Sequence, residues 1–223
     1  MLRAVIFDVD FTLAKPGPDL GAEGYRRLGE RYGLDLDPAL YDEARIAAFA
    51  EVKLHPELDH DEEIWVLFTE RVIIGMGGKG NTYDAAVEME HAWVHSHHFE
   101  IFEDALPTIE AVRERGLLIG MLSNSSRDLA DFVAHHGLYA DAVLTSNMHG
   151  KTKPHSSIFH ALLEELGVEA HEAVMVGDML EDDIEGARAV GMHAVLIDRE
   201  NRYPEIEDRL PDLTGLLEEL GLD

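Results

Sequence analysis

Short apolar runs, each closed by polar residues, recur along the chain and constrain its fold more than any other feature. The first run, Arg3 to Asp8, is rich in β-favouring residues, which is typical of a strand buried on both faces of a parallel sheet. Later runs of this type are Leu117 to Ser123, a weaker Ala142 to Thr145, Ala173 to Asp178, and His193 to Asp198. The sequence therefore predicts the strands of a parallel sheet.

Helical patterns separate these runs and complete a strand-helix alternation. They cover Leu106 to Arg115, Asp128 to His136, Ser156 to Leu166 and Asp182 to Val190, and the first of them follows Asp104 as its cap. Such alternation implies right-handed crossovers between parallel strands. We therefore predict an α/β fold with a Rossmann-like, doubly wound parallel sheet as its core.

The stretch after the first strand has a different pattern, because amphipathic helices replace the buried strands. These helices are predicted at Leu20 to Tyr32, Pro38 to Val52, Asp61 to Ile74 and Tyr83 to His97. We predict an inserted α-helical domain at residues 17–99, with the core domain formed by residues 1–16 and 100–223. The insertion leaves directly after the first strand, so we expect it over the carboxyl end of the sheet, where ligands bind.

The charge balance restricts the partners of this chain. Its formal net charge is -27, with 45 acidic residues against 18 Lys and Arg, which argues against nucleic acid and anionic membrane surfaces. It contains no cysteine, so any metal must be bound by oxygen or imidazole. The amino-terminal MLRAVIFD passes straight into a strand without the features of a signal peptide, which predicts a cytoplasmic protein.

Two acids converge where the first strand ends. Alternation along an extended chain places Asp8 and Asp10 on the same side. A carboxylate that attacks phosphorus needs a divalent cation to reduce repulsion, and a second acid to protonate the departing oxygen. Taken alone, the pair suits equally well the capping of a turn or of a following helix.

The other strand ends carry groups that suit the same reaction. Ser123 and Asn124 offer phosphate-binding groups near a helix start, and Lys153 offers a fixed positive charge. Further acids suited to Mg²⁺ are Asp178, which ends the run from Ala173, and Asp182 and Asp183 shortly after it. Each feature has an ordinary structural explanation, but the ordered set is specific.

This set resembles the haloacid dehalogenase superfamily, whose four signatures are matched by DVDFT, LSN, KP and GDMLEDD. The resemblance implies the phosphatase branch, with the insertion as a type 1 helical cap that closes over the substrate. It also implies that Asp8 becomes an aspartyl-phosphate, and that Asp10 acts as general acid and then as general base. Lys153 is the third catalytic residue that it implies.

The resemblance assigns further residues to phosphate and metal. Contacts with the phosphoryl group are implied for Thr12, Ser123, Asn124 and Lys153. The implied Mg²⁺ ligands are Asp8, the backbone carbonyl of Asp10, Asp178 and Asp183. Phe11 departs from the family, because many members carry Gly or Asn there.

The retained acid at Asp10 favours phosphomonoester cleavage, because dehalogenases of the family lack an acid there. The expected partner is a small phosphorylated metabolite, and the expected state is a monomer or a homodimer. Three alternatives stay open: a phosphomutase similar to β-phosphoglucomutase, a 2-haloacid dehalogenase, and a noncatalytic binding protein. A second metal on His91 and His95, which are spaced to share a helix face, is an alternative to a solvated or packed helix.

Overall fold

A computed structural model describes residues 1–51 and 55–222, with only the backbone described at residue 50. The chain divides into two compact units. Unit 1 consists of Met1–Lys15 and Ile101–Asp223, and unit 2 consists of Pro16–Glu100. In the part of the chain that is described, no helix combines the length and apolar character that a membrane span requires.

Parallel strands form the centre of unit 1. The strands in the described residues are β1 Ala4–Phe7, β2 Ala14–Pro16, β3 Phe99–Ile101, β4 Leu118–Ser123, β5 Ala142–Thr145, β6 Ala173–Gly177, β7 His193–Ile197 and β8 Arg209–Leu210. Six of them form one sheet in the order β5-β4-β1-β6-β7-β8, and every pairing in it is parallel. The prediction of an α/β, Rossmann-like core is confirmed.

The central strand β1 sets the register of the sheet. Its residues are all fully buried, as expected for a strand covered on both faces. Phe7 is paired with Met121 on one side and with Val176 on the other. The residues that follow these positions therefore emerge at one edge of the sheet.

Helices pack around this sheet in unit 1. They are α5 Ala105–Glu114, α6 Leu129–His136, α7 Ser146–His149, α8 Ser156–Leu166, α9 Gly186–Ala189 and α10 Leu216–Glu219. Both α6 and α8 end at a glycine in the left-handed conformation, Gly137 and Gly167. The apolar side of α8, including Ile158 and Leu162, joins the same core cluster as Ile6 of β1.

Unit 2 is mainly helical. Its helices are α1 Ala22–Arg31, α2 Tyr41–Glu51, α3 Glu62–Gly75 and α4 Thr82–Trp93, with 3₁₀ turns at Pro38–Leu40 and Ser96–His98. Asp61 caps α3 by accepting a hydrogen bond from the backbone N–H of Glu63. Val52, the predicted end of the second helix, lies outside the described residues. The chain passes between the units through β2 and β3, which pair in a two-stranded sheet.

Three local features differ from the predictions. A π-helix at Leu180–Glu185 precedes α9, where one helix from Asp182 to Val190 is predicted. Asp104 does not cap α5 through its side chain, because its carboxylate accepts hydrogen bonds from Arg199 and from the backbone of Leu213. The helix α4 ends at Trp93, so His95 does not continue the helix face of His91.

Candidate active site

Lys153 is the centre of a buried hydrogen-bond network at the carboxyl edge of the sheet. Its Nζ lies 2.7 Å from Oδ1 of Asp8, 2.6 Å from Oδ1 of Asp183 and 3.0 Å from the carbonyl oxygen of Leu122. An ammonium group has three donors, so these acceptors satisfy all of them. The side chain of Lys153 is 3% exposed, which makes this position a fixed point charge.

The electrostatics of this network depend on burial and on the paired charges. Burial and the neighbouring acids together outweigh the attraction of Lys153, and they raise the pKa of Asp8 well above its usual range. Burial lowers the pKa of Lys153, but the Asp183 and Asp8 carboxylates more than reverse this, so its net shift is upward. Lys153 therefore keeps its positive charge at neutral pH.

Acidic oxygens converge beside this lysine. Asp8, Asp178 and Asp183 each place a carboxylate oxygen within 4.8 Å of the others, and all three residues are buried. Burial and the charge of Asp183 raise the pKa of Asp178 to about 7, although Arg202 opposes the shift. Among the described residues, Oδ2 of Asp8 has no hydrogen-bond partner. Mg²⁺ prefers hard oxygen ligands, so these buried carboxylates, together with the available Oδ2 of Asp8, are chemically suited to bind it.

Asp183 reaches the network because the chain turns sharply after β6. The π-helix brings its carboxylate back over the strand end, where Oδ2 accepts a hydrogen bond of 3.0 Å from the backbone N–H of Met179. Gly177 makes room for it, because a β-carbon there would overlap the Asp183 carboxyl group. The glycine of the fourth motif is therefore a packing requirement of the Asp183 carboxyl group.

Asp10 lies in a tight turn directly after Asp8. Phe11 donates its backbone N–H to Ala14 and adopts a φ of 64°, in the left-handed region that favours Gly and Asn. This conformation explains why Gly or Asn is common at this position in the family that the sequence resembles. The Asp10 carboxylate is bound by Arg127, whose Nη1 lies 2.9 Å from Oδ1.

The predicted phosphate-binding residues lie around the same edge. Ser123 ends β4, is buried and donates its hydroxyl to Ser125. The side-chain amide of Asn124 bonds the backbone of Lys153 at both ends, accepting from its N–H at 2.7 Å and donating to its carbonyl at 3.0 Å. Within the described part of the chain, the buried Thr12 hydroxyl has no hydrogen-bond partner. The phosphate-binding roles of these residues stay predictions.

Two arginines complete the site, and the sequence motifs do not contain them. Arg127 lies just beyond Ser123 in the sequence, where either a substrate contact or a surface ion pair would be compatible with its residue type, yet it is buried and holds Asp10. Arg202 pairs with the Asp178 carboxylate and also donates to the Asp178 carbonyl at 3.0 Å. No sequence signal identifies these two partners, because a buried acid needs a basic partner but its burial is known only from the structure.

The histidines of unit 2 do not form a comparable centre. His95, His97 and His98 have neighbouring rings, with centroids 4.1 Å apart for His97 and His98. Over residues 1–51 and 55–222, however, the acids Asp8, Asp178 and Asp183 are the only group of three whose donor atoms converge closely enough for a metal. The alternative of a second, imidazole-bound metal receives no support from this arrangement.

The fold and this site together define an α/β protein with a doubly wound sheet and an acidic, lysine-bearing centre at the carboxyl edge of that sheet. A sequence model described as "Hydrolase: haloacid dehalogenase-like hydrolase" matches residues 2–191. The chain belongs to this family, and the predicted family membership is confirmed.

Two curated relatives indicate the branch of the family to which the chain belongs. A ribulose-1,5-bisphosphate 5-phosphatase of Halopiger xanaduensis is 35% identical over 94% of this chain and 91% of its own length. A glyceraldehyde 3-phosphate phosphatase of Methanopyrus kandleri is 31% identical over 95% of this chain and 90% of its own length. These relatives support the predicted phosphatase branch, whose members are phosphoric monoester hydrolases.

Solved structures agree on the fold. A phosphatase of this family from Thermococcus onnurineus has a TM-score of 0.67 at 29% identity, over 100% of this chain and 99% of that one. A 2-haloacid dehalogenase from Pseudomonas syringae has a TM-score of 0.66 at 26% identity, over 99% of both chains. Because the same fold occurs in both proteins, the reaction has to be argued from the site residues.

Proposed function

We propose that this hydrolase is a Mg²⁺-dependent phosphatase of small phosphomonoesters, and that it acts through an aspartyl-phosphate on Asp8. The observation that carries the proposal is the environment of the Asp8 carboxylate. Its Oδ1 is bound by the Lys153 ammonium group, and its Oδ2 has no partner among the described residues. Lys153 screens the negative charge of Asp8 against an approaching phosphate dianion, which favours attack by a carboxylate oxygen.

In the first step, a carboxylate oxygen of Asp8 forms a bond to phosphorus while the bond from phosphorus to the ester oxygen breaks. The protonated carboxyl group of Asp10 gives its proton to the departing ester oxygen. In the second step, the Asp10 carboxylate accepts a proton from water, and the water oxygen attacks phosphorus. The bond from phosphorus to Asp8 then breaks and releases inorganic phosphate, so the enzyme returns to its starting state.

The phosphate-binding residues contribute to this mechanism in different ways. Lys153 stays charged in both steps and holds Asp8 through its direct hydrogen bond. We assign Ser123 and Thr12 to phosphoryl oxygens because the buried Ser123 hydroxyl stands at the end of β4 and the buried Thr12 hydroxyl lies on the loop that follows β1. Asn124 supports the phosphoryl site by fixing the backbone of Lys153, in addition to any contact of its own.

The converging acids are the residues that would hold Mg²⁺. We propose carboxylate oxygens of Asp8 and Asp178, the backbone carbonyl of Asp10, and Asp183, either directly or through water. When bound, a divalent cation reduces the repulsion between the anionic nucleophile and the anionic phosphate. Because burial and mutual repulsion raise the pKa of Asp8 and Asp178, these side chains gain most from a nearby cation.

We propose that the helical unit Pro16–Glu100 is the cap domain of the enzyme. The proposal rests on its helical composition and on its insertion between the DVDFT and LSN motifs, the placement of a type 1 cap. A cap excludes water and selects the substrate. Its boundaries lie within one residue of the insertion predicted at residues 17–99.

The names of the relatives suggest sugar phosphates as first substrates, because two of them are described as acting on ribulose-1,5-bisphosphate and glyceraldehyde 3-phosphate. The test is phosphate release by purified protein with these two compounds and with an aryl phosphate, in Mg²⁺ and in EDTA. We expect release only with Mg²⁺, and none from the Asp8→Asn variant.

Asp128→Asn is the matched control, because Asp128 is an exposed helix cap of the same unit and Asn caps a helix equally well. It should release phosphate at the wild-type rate. Mg²⁺-dependent release that survives in Asp8→Asn would falsify the mechanism. An isomerised sugar phosphate without free phosphate would point instead to a mutase, and free halide from a 2-haloacid to a dehalogenase.

A further inference from the structure

Arg127 and Asp10 form a forked ion pair between two loops of the candidate active site. Nη1 of Arg127 lies 2.9 Å from Oδ1 of Asp10, and Nη2 lies 3.4 Å from Oδ2. The Arg127 side chain is 1% exposed, and that of Asp10 is 21% exposed. The pair therefore joins a fully buried cation to an acid that still faces solvent.

The arginine is the rigid member of this pair. A guanidinium group stays charged in proteins, and its planar fork accepts a carboxylate in few orientations. Burial without an anionic partner would be costly, so the contact with Asp10 is strongly favoured. The guanidinium carbon of Arg127 also lies 5.2 Å from the ring centroid of Phe132, a fully buried residue of α6. Arg127 is thereby held against the core while it holds Asp10.

The two contacts of the fork are unequal. A distance of 2.9 Å is that of a well-formed hydrogen bond, whereas 3.4 Å is that of a weak one. We propose that Arg127 is a positioning residue that anchors Oδ1 of Asp10 and leaves Oδ2 as the oxygen that exchanges the proton with substrate and water. This inference rests on the proposed role of Asp10 as general acid and base.

The position of Arg127 distinguishes this role from the two that its sequence neighbourhood suggests. A surface ion pair would leave the arginine exposed, but the residue is 2% exposed. A direct substrate contact would require donors directed to the phosphate, whereas both terminal nitrogens are directed to Asp10. The geometry therefore supports an effect on the substrate through Asp10.

The role has a consequence for substrates with different leaving groups. When the ester bond breaks, the proton on Oδ2 of Asp10 moves to the departing oxygen, and the resulting carboxylate stays paired with Arg127. An alkyl alcohol departs as a strong base and needs this proton, whereas an acidic phenol departs with little assistance. Loss of the anchor should therefore slow alkyl esters more than aryl esters.

The test compares kcat/KM for p-nitrophenyl phosphate with kcat/KM for the best alkyl phosphate of the wild-type enzyme. This parameter covers the steps up to departure of the alcohol, so it excludes the later hydrolysis of the aspartyl-phosphate. For Arg127→Ala we expect a loss of about 10- to 100-fold with the alkyl ester and less than about threefold with the aryl ester. Arg127→Lys, which keeps the charge but cannot form the fork, should show a smaller loss with the same preference.

One control variant and the pattern of losses make the outcomes distinct. Arg209→Ala removes another arginine that pairs with a buried carboxylate of unit 1, Asp198, and should leave the alkyl-to-aryl ratio unchanged. A wild-type enzyme that hydrolyses neither ester overturns the proposed function, and this inference with it. Equal losses of kcat/KM for both esters overturn the inference alone. If Arg127→Ala does not fold, the ratio measured for Arg127→Lys decides in the same way.

Discussion

The ammonium nitrogen of Lys153 lies 2.7 Å from a carboxylate oxygen of Asp8, although 145 positions separate the two residues in the chain. Parallel pairing of β1 with β4 and β6 brings their carboxyl ends to one edge, where the loop that carries Lys153 returns. The pair shows that the site is assembled by the topology of the sheet. The contribution of this ion pair to the free energy of unfolding can be measured separately from catalysis.

Replacement of Lys153 by alanine should lower the free energy of unfolding as well as abolish phosphate release. The change removes the partner of two buried carboxylates, Asp8 and Asp183, and breaking a buried ion pair from one side costs about 3–5 kcal/mol. Urea denaturation in EDTA measures the effect without metal. Lys79→Ala, at an exposed lysine of unit 2, should stay within about 0.5 kcal/mol of the wild type. A Lys153→Ala protein as stable as this control contradicts the prediction.

Replacement of Gly177 by alanine should disturb the acidic site through packing. The added methyl group would occupy the space of the Asp183 carboxyl group, so that Asp183 must move away from Lys153. Such overpacking costs about 1–3 kcal/mol of stability. We expect reduced thermal stability together with a weaker stabilisation by added Mg²⁺, measured by thermal unfolding across a Mg²⁺ titration.

Gly116→Ala is a useful comparison for this experiment. Gly116 follows α5 with a φ of 75°, and an added β-carbon there would contact nothing within 4 Å. The loss of thermal stability in Gly116→Ala should come from backbone strain alone. The stabilisation by added Mg²⁺ should be the same as in the wild type. Loss of the response in Gly116→Ala, or a normal response in Gly177→Ala, would argue against the packing explanation.

Asp198 should contribute stability that depends on pH. Burial raises its pKa, but hydrogen bonds from the backbone of Tyr203 and Arg202 and from the Arg209 side chain outweigh burial and lower it. A carboxyl group whose pKa is lower in the folded state than in the unfolded state stabilises the fold when it is ionised. This stabilisation is present above the unfolded-state pKa of about 3.9 and is lost as pH falls through the folded-state pKa.

The Asp198→Asn variant tests this dependence directly. We expect it to be about 1–3 kcal/mol less stable than the wild type at neutral pH, because buried donors lose a charged acceptor. The difference should shrink below about pH 4, because Asp198 of the unfolded wild type takes up a proton there while the folded protein does so only at lower pH. A difference in unfolding free energy that stays constant down to acidic pH would assign the loss to packing alone.

Much of the core fold could be predicted from the sequence, because buried parallel strands have a strong local pattern. Observed β4 and β5 differ from the predicted runs by at most one residue, and α8 matches its prediction. Two-residue β8 was not predicted, because a pair of residues has no readable period. The π-helix was also not predicted, because its cause is the return of Asp183 over Gly177, which is a tertiary effect.

The candidate site was predictable only as far as its motifs extend. Asp8, Lys153, Asp178 and Asp183 are brought together as their motifs suggest, while their chemical roles stay predictions. The partners Arg127 and Arg202 were not predictable, because each binds its acid across loops that are far apart in sequence. Such pairs depend on burial, and burial is known only once the loops are placed.

The central claim is that Asp8 carries the phosphoryl group during turnover. The most direct measurement is acid quenching of the enzyme during turnover with Mg²⁺ and substrate, followed by mass spectrometry of its peptides. The Asp10→Asn variant should be quenched in parallel with an aryl phosphate, because it lacks the base for the second step and should accumulate the intermediate. We predict one added phosphoryl group on the peptide that contains Asp8, and none in Asp8→Asn. A phosphoryl group on another residue, or turnover by Asp8→Asn, would contradict the account.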